Sequence, residues 1–464
     1  MLRKIMLGAL VISAMGSTLT NAQTKSKVSS WVTQADGSTA LQKQKAQPAF
    51  GKVNAKYTVI TVNDKQVYQQ MDGFGFTLTG GSAELINKLP AAEKSHLLDE
   101  MFRTTGNGIG ISYLRISVGA SDLNADVFTY DDMPAGQTDP QLAHFSLEKD
   151  AGVIALLQDI LKINPHLKIL GSPWTAPSWM KTNALSKGGK LKEDCYDVYA
   201  QYLVKYIRSM KAKGITIDAL TLQNEPLNPK NNPSLVMEAA EQAAFIKKSV
   251  GPAFKAANIK TKIVLYDHNA DRPDYPMDIL KDPEASQYVD GSAFHLYGGK
   301  IEALNEVHNA YPDKNLYFTE QWVGAPGKFT ENLNWHINNL IIGATRNWAR
   351  TVLEWNLAAD SKYEPHTPGG CTECLGAITV EKSITRNVAY YIIGHASKFV
   401  PAGSVRIASN INGDLVNVAF RTPQGRKVLI VINNGKNKAI FNIKQGDRAA
   451  LCSLDTGAVG TFVW

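Results

Sequence analysis

Two short motifs that contain glutamate carry the residues with the clearest chemistry in this sequence. Residues 221–226 read TLQNEP and include Glu225, and residues 317–322 read YFTEQW and include Glu320. Each motif follows an apolar run with the composition of a β-strand, and amide or aromatic side chains flank each glutamate. Two carboxylates delivered in this way suit the cleavage of a glycosidic bond. One would protonate the leaving oxygen, and the other would attack the opposite face of the sugar.

Short apolar segments alternate with amphipathic helical stretches between about residues 71 and 400. The clearest helical stretches, residues 91–102, 151–163 and 195–213, have apolar residues at every third or fourth position. Near-continuous apolar strands separated by helices indicate a parallel sheet buried on both faces. The pattern therefore predicts an α/β fold, a (β/α)8 TIM barrel over residues 71–400. Its eight predicted strands are residues 73–78, 112–118, 167–172, 219–223, 262–266, 291–296, 316–319 and 351–355.

A second domain is predicted from the two segments that flank the barrel. In residues 401–464 the helical pattern stops, and short strands separated by Asn and Gly turn signals are typical of a β-sandwich. Because this segment is too short for two full sheets, we expect residues 23–70 to add strands, so that both chain termini build the sandwich. Within residues 23–70 the pattern predicts a strand near residues 28–32 and a hairpin that turns at Asn63-Asp64.

Polar and aromatic residues recur where the predicted barrel strands end. The active site of a (β/α)8 barrel lies at the C-terminal ends of its strands. This recurrence at so many strand ends is stronger evidence for a site than either glutamate motif alone. Arg115 lies inside strand two, and the residues at or just past the strand ends include Trp174, Asn224, Glu225, Asp267, His268, His295, Tyr297, Glu320, Trp322 and Trp355.

The two glutamates would need different environments. A general acid at Glu225 must be protonated near neutral pH, which requires burial or a nearby carboxylate to raise its pKa. Asn224 suits a hydrogen bond to the hydroxyl beside the reacting carbon. A nucleophile at Glu320 must stay ionised, and Arg115 and Tyr297 could supply the charge and hydrogen bond that this requires. The alternatives are that Glu225 merely begins a helix and that Arg115 forms a structural salt bridge.

Aromatic and histidine residues near the strand ends have simpler interpretations as well. Flat tryptophan rings there could stack on a pyranose, although core packing should hold at least one of them, foremost Trp179. His268 and His295 are more often hydrogen-bonded barrel residues than metal ligands, and no metal-ligand spacing occurs near them, so we predict no metal and no cofactor. The four tryptophans at or just past strand ends are Trp174, Trp179, Trp322 and Trp355.

Together these segments resemble glycoside hydrolase family 30, which joins a (β/α)8 barrel to a β-sandwich made from both termini and includes the glucosylceramidases. The resemblance implies a retaining mechanism with Glu225 as acid/base and Glu320 as nucleophile. It further implies sugar-contacting or supporting roles for Asn224, Trp174, Trp355, Arg115 and Tyr297, and His295 and Trp322 complete the predicted substrate-binding set. The segments that carry it are residues 72–75 (DGFG), 172–181 (SPWTAPSWMK), 223–226 (QNEP), 319–320 (TE) and 355–358 (WNLA).

Two departures from the glucosylceramidase pattern bear on the substrate. Members of that group carry an acidic residue at the end of the first strand, where this sequence has Gly80. The loop at residues 369–374 (GGCTEC) instead resembles the microbial branch that contains endo-β-1,6-glucanases. Both points favour a β-glucan, above all a β-1,6-linked one. The alternatives are a glucosylceramidase, a xylanase, which fits less well, and a carbohydrate-binding protein without hydrolysis, against which the two glutamates argue.

Composition and the N-terminus indicate an exported protein. The 464 residues are 44% hydrophobic and 20% charged with a net charge of +7, and the basic residues are scattered among acids, so no nucleic-acid partner is predicted. Arg3 and Lys4 precede an apolar run at residues 5–15, and residues 20–22 offer a small-residue cleavage site. We expect residues 1–22 to be a signal peptide and the mature chain, periplasmic, cell-surface or secreted, to lack a transmembrane span. A membrane anchor is the alternative.

The four cysteines are too few for a disulfide framework. Cys371 and Cys374 form a C-x-x-C pair without a second pair, which is weak evidence for zinc. In an exported protein a local disulfide is the better interpretation. The sequence does not indicate an oligomeric state.

Overall fold

A computed structural model of the chain describes residues 26–464. The predicted signal peptide therefore lies outside the described residues. Eight parallel strands close into a barrel in sequence order, each paired with the next along the chain and the last with the first. All eight predicted strands are present, so the predicted barrel is confirmed. Barrel strands one to eight are Gly73–Leu78, Tyr113–Ser117, Lys168–Ser172, Ala219–Thr221, Lys262–Ala270, Val289–Gly299, Asn315–Glu320 and Ala349–Asn356.

Helices cover the outside of the barrel because their apolar stripes match its outer surface. In helix Ala151–Ile163, for example, the buried positions 153, 154, 156, 157 and 160 lie on one helical face. The helices predicted at 91–102, 151–163 and 195–213 are confirmed with boundary differences of at most one residue. No helix within residues 26–464 is long and apolar enough to cross a membrane. The α-helices are Gly80–Asn87, Ala91–Phe102, Ala151–Ile163, Tyr196–Ala212, Ala239–Phe245, Gly251–Ala256, Asp274–Leu280, Pro283–Ser286, Ala303–Ala310, Phe329–His336 and Val388–Ser397.

The interior of the barrel changes from apolar to polar along the strands. A ring of apolar and aromatic side chains fills it first: Tyr113, Leu170, Ala219, Val264, Ala293, Tyr317 and Leu353. Successive strand side chains alternate between faces, so the residue two positions further along also faces the interior. Those residues form the next layer and are buried: Arg115, Ser172, Thr221, His295, Thr319 and Trp355. The strands thus deliver a polar layer directly beneath their C-terminal ends.

Strand five departs from this alternation. Its pairing with strand six slips between Tyr266 and His268, and Tyr266 and Asp267 have positive φ angles of 70° and 65°. The irregularity shifts the alternation by one residue, so the Tyr266 ring packs against Tyr275 and Phe294, while Asp267 enters the polar layer. Non-glycine residues held at positive φ are uncommon and cluster at functional sites.

Both chain ends build the second domain, as predicted. Strand Ser29–Thr33 pairs antiparallel with Val459–Val463. Strand Thr58–Gln70 lies between Val405–Ser409 and Ala439–Gln445 and pairs with both. The nine strands of this domain are Ser29–Thr33, Gln42–Lys43, Thr58–Gln70, Val405–Ser409, Leu415–Arg421, Lys427–Asn433, Ala439–Gln445, Arg448–Leu454 and Val459–Val463.

The predicted hairpin at Asn63-Asp64 is wrong. Thr58–Gln70 is one strand of 13 residues. Its register against Val405–Ser409 shifts between Asn63 and Val67, so the Asn-Asp pair accommodates an irregularity in a strand instead of a turn. Ala439–Gln445 pairs with the strand up to Thr61, and Val405–Ser409 pairs with it before and after the irregularity, so the chain continues through the Asn-Asp pair as one strand.

Buried polar contacts join the two domains. His395, in helix Val388–Ser397, lies 2.8 Å from the hydroxyl of Thr33 and 2.8 Å from that of Thr461, so it contacts both terminal strands of the sandwich. Arg346 donates to the backbone carbonyls of Asn417 and Ser409. Because these donors and acceptors are satisfied across the interface, the barrel is seated on the sandwich in one defined orientation.

Candidate active site

A cleft of about 490 Å³ opens at the C-terminal ends of the barrel strands. Seven of the nine predicted site residues line it. The other two, Arg115 and His295, are fully buried and lie beneath its surface. The lining residues are Asp122, Trp174, Asn224, Glu225, Leu227, Asn228, Pro229, Lys230, Asn231, His268, Asn269, Tyr297, Glu320, Trp322, Trp355, Cys371 and Cys374.

Glu320 is the last residue of strand seven, and each of its carboxylate oxygens has a donor. Nη1 of Arg115 donates to Oε2 at 2.6 Å, and the hydroxyl of Tyr297 donates to Oε1 at 2.9 Å. Burial raises the pKa of Glu320, while the positive charges of His295 and Arg115 oppose that rise. The side chain is therefore held in one orientation beside a permanent cation.

Arg115 connects Glu320 to the rest of the polar layer. Its Nη2 donates to Oδ2 of Asp267 at 2.8 Å and to Oδ1 of Asn224 at 2.6 Å. Burial lowers the pKa of Arg115, but the carboxylates of Asp267 and Glu320 more than offset this, so the guanidinium stays charged. Because Asn224 accepts through its oxygen, its amide nitrogen is the end that can donate into the cleft.

Glu225 follows strand four with a φ of +44°, and its backbone N–H donates to the carbonyl of Asp267. Its Oε2 accepts hydrogen bonds from the amides of Asn228 at 2.7 Å and Asn231 at 3.2 Å. Its Oε1 lies 3.2 Å from Nδ1 of His295. Burial would raise the pKa of Glu225, but the contact with His295 lowers it to about 2.

His295 lies between the two glutamates. Its Nδ1 is 3.2 Å from Glu225 and 3.7 Å from Glu320, and its Nε2 is 3.1 Å from Oδ1 of Asp267. Burial lowers the pKa of His295, but the carboxylates of Glu320, Asp267 and Glu225 raise it to about 9. Near neutral pH the imidazole therefore carries a positive charge between three carboxylates.

Asp267 holds Arg115 and His295 in place, although the sequence analysis gave it no role. It also accepts from the hydroxyls of Thr221 at 2.7 Å and Thr319 at 2.6 Å. Burial would raise the pKa of Asp267, but Arg115 and His295 lower it well below its usual range. The sequence placed Asp267 directly after predicted strand five, but the observed strand continues to Ala270 and its irregularity turns Asp267 inward.

The two glutamates face one another across a short gap. Ligand atoms of Glu225, His295 and Glu320 all lie within 4.8 Å of one another, and within residues 26–464 this is the one group of its kind that could hold a metal ion. Arg115 and His295 already place positive charge against these carboxylates. We therefore assign no metal to the group.

Tryptophans form one wall of the cleft. The rings of Trp174 and Trp355 stack with centroids 5.4 Å apart, and Trp322 packs beside them. Nε1 of Trp174 is buried and has no hydrogen-bond partner among residues 26–464. Trp179 instead lies in the main core and donates to the carbonyl of Asp131, as its predicted core assignment requires.

Asp122, which sequence reasoning missed, brings a further carboxylate into the cleft. Burial and repulsion from Glu320 and Glu225 raise the pKa of Asp122 to about 7. A Cβ at Gly80 would overlap the amide of Asn124, so the first strand end has no room for an acidic side chain. Asp122, in the loop after strand two, brings a carboxylate into the cleft instead. The lack of an acidic residue at Gly80 is therefore no longer an argument against a glucosylceramidase.

Comparison with known proteins identifies the sequence relatives of this chain. Residues 71–400 match the glycosyl hydrolase family 30 TIM-barrel domain, and residues 403–462 match the family 30 beta sandwich domain. Endo-1,6-beta-D-glucanase BGN16.3 of Trichoderma harzianum is 35% identical over 421 residues, 85% of this chain and 84% of that protein. Lysosomal acid glucosylceramidase of Mus musculus is 28% identical over 452 residues, 90% and 86% of the two chains.

A solved structure with a similar sequence also has the same fold over nearly its whole length. The endo-beta1,6-glucanase BT3312 superimposes with a TM-score of 0.88 at 34% sequence identity, and the match covers 95% of this chain and 99% of that one. The similarity includes the barrel and the strands from both termini, since it extends over nearly the whole chain.

Proposed function

This chain belongs to glycosyl hydrolase family 30, and we propose that it is a retaining hydrolase that cleaves β-1,6-linked glucan with Glu225 and Glu320. The observation that carries the proposal is the gap between the two glutamates, whose facing oxygens lie within 4.8 Å of each other. Retaining enzymes place their two carboxyl groups about 5–5.5 Å apart, whereas inverting enzymes leave about 6.5 Å or more for a water molecule.

Glu320 acts as the nucleophile in this mechanism. Its carboxylate attacks the anomeric carbon, an ester bond forms, and the glycosidic carbon–oxygen bond breaks as Glu225 gives its proton to the leaving oxygen. A water molecule then attacks the same carbon, the ester bond breaks, and Glu225 recovers a proton from that water. Arg115 and Tyr297 hold the carboxylate of Glu320 and stabilise its charge whenever it is free.

The proton for the first step is shared between Glu225 and His295. In the open cleft the surrounding carboxylates raise the pKa of His295, and His295 lowers the pKa of Glu225, so the proton rests on the imidazole. The two groups lie 3.2 Å apart, close enough for direct transfer. A bound sugar excludes water from Glu225 and makes its negative charge more costly, which moves the proton onto the carboxyl.

The cleft offers polar groups that a sugar can use. Nε1 of Trp174 and Nδ1 of His268 are buried without a hydrogen-bond partner in the described part of the chain. The amide of Asn224 and the carboxyl of Asp122 line the same space. The stacked tryptophans supply a flat apolar face beside these groups. This pairing of hydrogen-bonding groups with an aromatic wall suits a pyranose.

The choice of β-1,6-linked glucan rests on the relatives, because the endo-1,6-beta-glucanases match this chain at higher identity than the glucosylceramidase does. The loop that carries Cys371 and Cys374, already singled out in the sequence, also lines the cleft. A glucosylceramidase is the alternative within the same mechanism.

Product analysis tests the proposal. Purified protein is incubated with β-1,6-, β-1,3- and β-1,4-glucans, xylan and glucosylceramide, and the first products are followed by proton nuclear magnetic resonance. We expect the β-1,6-glucan to be cleaved fastest, with the β-anomer appearing first. Faster cleavage of glucosylceramide would overturn the substrate, and an α-anomer as first product would overturn the retaining mechanism.

The export of this protein is also part of the proposal. Arg3 and Lys4 before an apolar run fit a signal peptide, and a polymeric glucan would be met outside the cell. Sequencing of the N-terminus of protein recovered from the native producer tests this. We expect the mature chain to begin at Gln23, and an uncleaved N-terminus would contradict it.

A further inference from the structure

The loop at residues 367–375, here called the disulfide loop, contacts three parts of the cleft at once. It contains the disulfide between Cys371 and Cys374, which closes a sequence separation of 3. Cross-links that close such short loops stabilise a folded chain least. We therefore expect this disulfide to act mainly through the contacts of its loop and only little through the stability of the fold.

The first contact is with the tryptophan wall. Both sulfur-bearing residues line the cleft, and Cys374, which is 3% exposed, packs in one cluster with Trp174 and Trp355. Cys374 and Leu375 also pair antiparallel with the short strand Val323–Gly324, which directly follows Trp322. The disulfide thus holds the edge of the aromatic surface.

The second contact is with Asp122. The N–H of Thr367 donates to the backbone carbonyl of Asp122 at 2.9 Å, and the hydroxyl of Thr367 donates to the same carbonyl at 3.3 Å. A Cβ at Gly370 would collide with the same carbonyl, so the loop lies against Asp122 without space between them. The position of Asp122 in the cleft therefore depends on the shape of this loop.

The third contact is with the segment that follows Glu225. The hydroxyl of Thr367 donates to the carbonyl of Asn232 at 2.5 Å, and the amide of Asn232 donates to the carbonyl of Pro368 at 3.0 Å. By contrast, within residues 26–464 the disulfide loop makes no hydrogen bond to Glu225 or Glu320 themselves, whose partners come from barrel strands and from Asn228 and Asn231.

We propose that the Cys371–Cys374 disulfide is a positioning element that fixes one wall of the sugar subsite, and that opening it weakens sugar binding while leaving the two glutamates in place. The inference rests on the proposed function for the identity of the sugar. The disulfide loop holds Asp122 and the tryptophan edge, whereas the polar layer of the barrel holds the glutamates. Sugar affinity and chemistry are therefore separable in this cleft.

The experiment compares oxidised and reduced protein. A water-soluble phosphine reduces the disulfide to two thiols and takes up one oxygen atom from water to become the phosphine oxide. Within residues 26–464 the other cysteines, Cys195 and Cys452, are buried free thiols, so the reagent has one disulfide to act on. The Cys371→Ser/Cys374→Ser double variant gives the open loop without reagent, and Cys452→Ser is the matched control with the disulfide intact.

We expect reduction to raise KM for a β-1,6-linked oligosaccharide about tenfold, about 1.4 kcal/mol of binding free energy, with kcat changed less than about threefold. The double variant should show the same KM before and after phosphine, and Cys452→Ser should respond as the wild type does. Calorimetric titration with a β-1,6-linked glucose disaccharide should show the same loss of affinity. The melting temperature of the double variant serves as the check on folding.

Three outcomes are distinguishable. Hydrolysis with the same KM before and after reduction would overturn the inference alone, as would a fall in kcat and melting temperature at unchanged KM. A disaccharide that binds, loses affinity on reduction and is never hydrolysed would overturn the proposed function alone. If the protein neither binds nor hydrolyses the disaccharide, both the inference and the proposed function are overturned.

Discussion

The two sides of the cleft hold their glutamates with different kinds of neighbour. On the side of strand seven, Glu320 lies against a guanidinium that stays charged at any accessible pH. On the side of strand four, Glu225 lies against the imidazole of His295 and the neutral amides of Asn228 and Asn231. A fixed charge suits a group that must remain an anion, and a titratable partner suits one that must gain and lose a proton. The neighbours, not the glutamates, distinguish the two roles.

Removing the group beside the fixed charge should have the largest effect. Glu320→Ala removes the proposed nucleophile and the acceptor of Nη1 of Arg115, so we expect kcat on β-1,6-glucan to fall about 10⁴-fold or more. Steady-state assays measure the loss. Added azide should restore none of the normal retained product, and a variant that still released it would show that another group attacks.

Substitution of Glu225, which lies beside the titratable His295, should lower kcat less than substitution of Glu320. Glu225→Gln keeps the shape of the side chain but cannot donate a proton, and we expect kcat on β-1,6-glucan to fall about 10²–10⁴-fold. An aryl β-glucoside with a good leaving group should lose much less in the first step, and a burst of released phenol would show this. Equal hydrolysis of the glucan by variant and wild type would refute the acid/base assignment.

The pH profile examines the comparison directly. The pKa of His295 is raised to about 9, so the shared proton is present below that pH and is lost as the pH rises through it. We expect the basic limb of kcat/KM to lie near pH 9 in the wild type. In His295→Asn the proton must stay on a carboxyl, so the limb should move to lower pH by at least about one unit. An unchanged limb would exclude His295 as the proton partner.

The same shift predicts a change in stability, which controls for misfolding of that variant. The pKa of His295 is raised from its ordinary value of 6.5 to about 9 on folding. Its contribution to stability is therefore complete below about pH 6.5 and is lost as the pH rises through about 9. The difference in melting temperature between wild type and His295→Asn should shrink over that interval.

The smallest effect is expected from the amides beside Glu225. Asn228→Ala removes the donor at 2.7 Å, while Asn231 remains at 3.2 Å, so we expect kcat/KM to fall only about three- to tenfold. The Asn231→Ala variant is the matched control and should lose less, because its hydrogen bond is longer. The reverse order would show that Asn231 carries the interaction.

The barrel was predictable because its strands are short apolar segments that alternate with amphipathic helical stretches in the sequence. The rule that barrel sites lie at C-terminal strand ends then located Glu225, Glu320 and the aromatic residues around them. That rule predicts which strand carries a residue, but it does not predict how deeply the side chain is buried. The rule assigned His295 to strand six, where the structure has it. Its imidazole is fully buried beneath the cleft surface, next to Glu225.

The rest could not be predicted, because it depends on contacts between distant segments. Asp267 faces inward only because strand five slips against strand six. Asp122 enters the cleft on a loop whose backbone accepts hydrogen bonds from Thr367, far along the chain. Asn63 and Asp64 are strong turn residues, yet Val405–Ser409 pairs with the strand before and after them, so they occupy an irregularity within one strand.

The pairing of strand Ser29–Thr33 with Val459–Val463 also has a consequence for the order of assembly. A ribosome makes the first of these strands long before the second, and nearly the entire barrel is synthesised between them. Until Val459–Val463 emerges, Ser29–Thr33 has one long edge of unpaired backbone groups, and closing so distant a contact is slow. The sandwich is therefore completed last, after the barrel has been synthesised.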